Sequence, residues 1–292
     1  NSAFGWRALN KSTSGNNSAF GYQAGLNNLS GISNSFFGYN AGRLCSTGSY
    51  NSFFGDLTGE KYTNNYGTAI GQGALSNATT GSQTAVGANA LYSTTGANNV
   101  GVGFQAGQGL TSGTNNVLVG MQSGFSLSST GSNNTLLGYY SGNVLRSSNN
   151  TFVGYNSGNT VTVGAKNSYF GAYTGSSHVT RSNLIILSDG DGNIGLFADS
   201  IQRVGIGNVV PTAKLSIQGS ATVSTSTPAS PNAASVLEVQ STTQGFRIVP
   251  MTATQASAIT PVEGLILFTS DTNGTFVSIG LWCYQNGAWK AL

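Results

Sequence analysis

The chain has 292 residues, of which 42 are glycine and only 7% are charged, against about a quarter in an ordinary soluble domain. Eleven basic and eight acidic residues leave a net charge of +3, too sparse for a phosphate-tracking surface, so nucleic acid is not an expected partner. No apolar run reaches the roughly 20 residues that span a bilayer, so insertion of a membrane helix is not expected either.

From the first residue the chain repeats. Glycine anchors fall at Gly5, Gly21, Gly38, Gly55, Gly71, Gly87, Gly103, Gly120, Gly138, Gly154 and Gly171, with spacings of 16 to 18. Eleven copies fill residues 1–177. Asn1 lies inside a repeat with no signal peptide before it, so the natural chain is expected to extend upstream.

The residue before each anchor is always apolar: Phe4, Phe20, Phe37, Phe54, Ile70, Val86, Val102, Val119, Leu137, Val153 and Phe170. This column is expected to point into the fold as its core. Three residues after the anchor the side chain is always small, as at Ala24, Ala41 and Ser141. The following position is Gly in eight copies and Leu in three. Four residues before the anchor stands Asn in nine copies, which suits a stacked amide ladder.

Helices are excluded, because each glycine costs about 1 kcal/mol relative to alanine there. Short β-prone runs between Asn/Gly/Ser clusters read as strand and turn. One repeat cannot bury its own apolar face, but stacked repeats can. The fold class is therefore all-β: a parallel β-roll, or β-solenoid, of about eleven coils, homotrimeric, rising roughly 4.8 Å per coil, with small hairpin-rich C-terminal modules. Its thin core implies that much apolar surface is buried between chains.

The run Asn17-Ser18-Ala19-Phe20-Gly21-Tyr22-Gln23-Ala24-Gly25 resembles the head repeat of trimeric autotransporter adhesins. That resemblance implies a roll in each chain and three rolls per trimer. The family's repeats are usually nearer fourteen residues, so longer loops are expected here. Its coiled-coil stalk and membrane anchor have no counterpart in these residues.

After residue 177 the period stops. Residues 178–218 read as a β-hairpin segment, with a tight turn at Asp189-Gly190-Asp191-Gly192. Residues 219–235, rich in Ser, Thr, Ala and Pro, read as a linker, and residues 236–292 as a terminal β module. The segment Val204-Gly205-Ile206-Gly207 with Pro211 and Leu215 resembles phage tail fibres and fibres of contractile injection systems. So do Gly245-Phe246-Arg247-Ile248-Val249-Pro250, Pro261-Val262-Glu263-Gly264-Leu265 and Gly287-Ala288-Trp289.

Chemistry-bearing residues are few. Asp189, Asp191 and Asn193 have calcium-loop spacing, but Ile194 and Ser200 replace the Gly and Glu that such a loop needs. His178, the single histidine, has no sequence partner for a triad or zinc site. No catalytic residue, metal or cofactor is expected, and Cys45 and Cys283 read as unpaired apolar side chains. In the repeats the only carboxylates are Asp56 and Glu60. Aromatics follow the anchor at Trp6, Tyr22, Tyr39, Phe104, Tyr139 and Tyr155, where packing outweighs sugar stacking. The cluster Trp282, Tyr284, Trp289 and Lys290 is the candidate receptor-binding site, weighed against a role as module core.

These readings describe an extracellular, non-enzymatic attachment fibre of a virion or tail-like particle, whose trimeric shaft presents a distal receptor-binding tip. Its expected partners are two further copies of itself, upstream baseplate or tail proteins, and a cell-surface glycan or protein receptor. A cell-surface trimeric adhesin is the first alternative. A tail spike that cleaves glycans through Asp56 and Glu60 is the second.

Overall fold

The computed structural model describes residues 1–126, 131–219, 221–224, 237–240, 248 and 250–292. They form two compact units, Asn1–Gln218 and Gly219–Leu292.

The first unit is a parallel β-solenoid. Each repeat contributes one short strand: β1 (Ser2–Phe4), β2 (Ser18–Phe20), β3 (Ser35–Phe37), β4 (Ser52–Phe54), β5 (Thr68–Ile70), β6 (Gln83–Val86), β7 (Asn99–Val102), β8 (Val117–Val119), β9 (Thr135–Leu137), β10 (Thr151–Val153) and β11 (Ser168–Phe170). Neighbours pair in parallel and in register, Phe4 beside Phe20 and Phe20 beside Phe37. The stack outruns the glycine repeat, since β12 (Ile185–Ser188) pairs in parallel with β11. β12 then turns back into the antiparallel strands β13 (Ile194–Ala198) and β14 (Val204–Ile206), and β15 (Leu215–Ile217) closes the fifteen-stranded sheet.

The inside of the coil is not where the invariant apolar column suggested. Phe4, Phe20, Phe37, Phe54, Ile70, Val119 and Phe170 are exposed, Phe4 by 69% and Phe20 by 52%, while Val86, Val102, Leu137 and Val153 are half-buried. All eleven stand on the outer face of the solenoid. The residue before each of them faces inward, as Ala19, Phe36, Phe53, Leu118, Leu136, Phe152 and Tyr169 do. Adjacent strand residues point to opposite faces, so a shift of one position exchanges core for surface.

This inner column varies in size, and other columns absorb the difference. Leu9, Leu75 and Leu91 are the three leucines that replace glycine four residues after the anchor, and their coils carry alanine in the inner column, Ala69 and Ala85 buried and Ala3 exposed in the first coil. They hold the left-handed backbone of that column, with φ between 47° and 53°. Where the core residue is large the column is glycine: at Gly158, φ is 63° and a Cβ would strike the Phe152 ring. The opposite wall is a column seven residues after the anchor, which includes Asn28, Cys45, Tyr62, Leu110, Leu145, Val161 and His178, all buried. Its mixed chemistry hides it in the sequence.

Two devices fix the stacking. The anchor glycines touch backbone to backbone: Gly38 has φ 142°, and a Cβ on it would collide with the Gly55 carbonyl. The buried asparagines bridge coils. The Asn34 backbone N–H donates to Asn17 Oδ1 at 2.9 Å, Asn51 to Asn34 at 2.9 Å, and Asn150 to Asn134 at 2.9 Å. Most of these amide nitrogens donate in turn to a carbonyl of the next loop, as Asn34 Nδ2 does to Gly48 O at 2.8 Å, while Asn150 Nδ2 donates to Ser148 O of its own loop at 3.3 Å. Gln83 takes the same place in its coil, accepting from the Asn99 N–H at 3.2 Å.

In the second unit, β16 (Ala221–Ser224) pairs in parallel with β17 (Leu237–Gln240), so part of the expected linker is strand. The rest of that linker, 225–235, lies outside the described residues, as does the Gly245-Phe246-Arg247 stretch. A four-stranded sheet follows, formed by β18 (Pro250–Met251), β19 (Ile266–Thr269), β20 (Gly280–Gln285) and β21 (Ala288–Ala291). The short helix α1 (Ala253–Ser257), opened by a Thr252/Gln255 capping box, packs Ala253 and Ala256 onto it with Phe276.

Two substitutions test this core with opposite signs. Phe152→Ala removes a fully buried ring stacked on Tyr169 at 4.8 Å. It should cost about 3–5 kcal/mol in denaturant unfolding followed by circular dichroism, far more than Val163→Ala on the surface. Asn28 is buried with no protein partner for its amide, at a column position that Leu110 and Leu145 fill elsewhere. Asn28→Leu should therefore stabilise the solenoid by about 1–3 kcal/mol in the same assay.

Candidate interaction surfaces

The outer face of the solenoid carries two apolar ladders. In the first, Phe4 stacks on Phe20 at 4.8 Å and Phe37 on Phe54 at 4.9 Å. In the second, Trp6 stacks on Tyr22 at 4.7 Å, Tyr22 on Tyr39 at 5.1 Å, and Tyr139 on Tyr155 at 5.5 Å. The rings are nearly parallel to their neighbours, so their faces are covered by one another. A sugar stacks on a ring face, and the outer face of Trp6 is already met by the Arg7 guanidinium at 4.9 Å. The ladders are thus built for packing.

Where the glycine repeat ends, His178 occupies the last position of the mixed core column. The Tyr173 hydroxyl lies 2.5 Å from its Nδ1, and the Ser177 N–H donates to that hydroxyl at 3.3 Å. Phe197 packs on the imidazole at 5.3 Å, and Arg181 lies over the Phe197 ring at 5.6 Å. Burial, and secondarily the Arg181 charge, hold the imidazole below its usual pKa. These contacts make His178 a closing element of the solenoid.

The carboxylates are also engaged. Glu60 accepts from Arg43 Nε at 2.9 Å across neighbouring coils, while Asp56 is exposed. Asp189 Oδ1 accepts from the N–H groups of Asp191 at 3.0 Å and Asn193 at 2.8 Å, and Oδ2 accepts from Asn193 Nδ2 at 2.9 Å. The bonds from Asn193, side chain first, lower its pKa. Asp199 closes the next turn with Arg203 in the same way. Asp189 and Asn193 therefore tie the hairpin turn. Among the described residues no group of three or more His, Cys, Asp or Glu is placed to hold a metal. Cys45 and Cys283 are unpaired and buried, and burial pushes the Cys45 thiol up to about 12.

The candidate receptor cluster divides. Trp282 is buried: its Nε1 donates to Thr269 Oγ1 and Ser278 O, both at 3.1 Å, and its ring meets Phe276 edge-on at 5.2 Å. It belongs to the module's core and leaves the contact set. Tyr284 and Trp289 are half-buried, paired across the strands at 5.4 Å, and Lys290 is exposed on the edge strand β21. The sequence reasoning missed the opposite face of this sheet, where Ile266 and Leu281 are exposed. Strand alternation around Trp282 is the signal that finds it.

A repetitive parallel solenoid and a small β module make up the chain. Residues 222–292 match the family model of the phage tail like trimerisation region. No curated protein and no solved structure matches the chain. Over those residues the chain is similar to a phage tail like trimerisation region, which supports a homotrimeric, phage tail fibre-like protein. Among the described residues no helix is long and apolar enough to cross a membrane.

The buried histidine gives a pH test with a defined sign. Its folded pKa lies below its unfolded value, so the unfolded chain takes up the proton first as pH falls through about 6.5. Stability should be complete at pH 8 and decline toward pH 5, read as melting temperature by circular dichroism. His178→Gln should flatten that dependence. The tied carboxylates Asp189 and Asp199 have lowered pKa values and leave this window undisturbed.

Proposed function

We propose that this chain is a shaft and terminal module of an attachment fibre, carried outside the cell by a virion or tail-like particle. The observation that carries the reading is the union, in one chain, of a chemically uniform parallel solenoid and a phage tail like trimerisation region. The solenoid acts as a spacer, and its outward ladders are the faces that three chains share. Baseplate or tail proteins hold one end of the fibre, and a cell-surface glycan or protein is its target.

The trimerisation match favours a tail fibre over a cell-surface adhesin. The Arg43–Glu60 ion pair favours a non-enzymatic role over glycan cleavage, since one of the two repeat carboxylates is already committed. In the terminal module Tyr284, Trp289 and Lys290 are the contact residues, the two part-exposed aromatics on one face of the sheet and the exposed cation on the other face of the edge strand β21.

Light scattering of the purified chain should give about three times 29.8 kDa. The labelled trimer should bind target cells, and Tyr284→Ser should weaken binding by about tenfold or more, roughly 1.4 kcal/mol, with the trimer intact. Unchanged binding by that variant rejects these residues as the contact. Release of sugar from a bacterial polysaccharide, abolished by Asp56→Asn, would restore the spike reading.

A further inference from the structure

The four-stranded sheet of the second unit has two unlike faces. Leu267, Thr269 and Trp282 point to the side covered by α1 and Phe276. On the opposite side Cys283 is buried between its neighbours and Phe268 is half-buried, but the large apolar residues Ile266, Leu281 and Leu292 are exposed. Across it Pro250, Phe268 and Leu281 stand in one register row, continued by Leu292, whose N–H donates to Leu281 O at 3.0 Å. The adjacent row is Ile266, Cys283 and Lys290. Ile266 is 49% exposed, Leu281 38% and Leu292 69%.

We infer that this apolar face is the surface through which the module trimerises, and that its occupant is a second copy of this chain. Three observations converge on that occupant. The sheet lies inside residues 222–292, the part matched to a trimerisation region. Its other face is already occupied by the module's own helix. The open face is apolar with a single charge, Lys290, which lies on the edge strand, where a cation blunts further strand addition. Ile266, Phe268, Leu281 and Leu292 form the centre of the contact, and Lys290 stays at its polar rim.

A cysteine placed on this face reads its cover directly. In a Cys45→Ala, Cys283→Ala background, Ile266→Cys is compared with Thr254→Cys, an exposed site on α1. In the intact trimer, maleimide labelling of Ile266→Cys should be at least about tenfold slower than that of Thr254→Cys, because the thiol reacts only on opening of the interface. Dilution or mild denaturant that separates the chains should abolish the difference. Equal labelling in a verified trimer overturns the proposal and leaves the face free for another partner. Protection that persists in separated chains also overturns it, since the cover would then lie within one chain.

Discussion

The structure depends on each coil meeting the next in a single register. A strand of three or four residues has too few hydrogen bonds to fix its own position. Two side-chain devices add the specificity. Facing glycines bring the coils close enough that any Cβ, as between Gly38 and Gly55, would force them apart. The buried amide of Asn34 accepts the Asn51 N–H above it and donates to the Gly48 carbonyl. An unmet polar group in this interior costs about 1–3 kcal/mol, so a slipped coil is penalised through its amide as well as its apolar contacts.

Once register is fixed, core volume is shared between coils. Leu9 supplies bulk that Ala3 and Ala19 lack, and Leu91 fills the space beside Gly101. The interior is thus conserved as a sum over columns and neighbouring coils, with no column uniform. This also explains the inert chemistry of the wall that holds Cys45 and His178: each is a packing solution local to its coil.

That sharing is why the repeat was legible in the sequence and the direction of its side chains was not. Period, strand position, glycine anchors and the asparagine ladder follow from spacing and residue type alone. The inner column runs from Gly101 to Phe152, while the outer one is apolar in every copy. Uniform apolarity suggested the core of one chain, yet it belongs to a surface that repeats along the solenoid. Reading the alternation one residue earlier would have required knowing that Leu9, Leu75 and Leu91 compensate for small neighbours. In the terminal module the aromatic cluster was visible, but composition could not separate Trp282, whose indole N–H is satisfied in the core, from Tyr284 and Trp289 beside it.

The same uniformity limits what the outer face can specify. Ladders that repeat every coil, roughly 4.8 Å apart, present nearly the same surface after a slide of one coil. A trimer joined only by such ladders would have several alignments of similar energy, as flat periodic strands do. Alignment then falls to residues that do not repeat. The contact inferred on the sheet of β18–β21 would meet that need, because Ile266, Phe268, Leu281 and Leu292 occur once per chain. Joining a periodic spacer to an aperiodic trimerising module therefore separates length, which can vary by whole coils, from registration, which cannot.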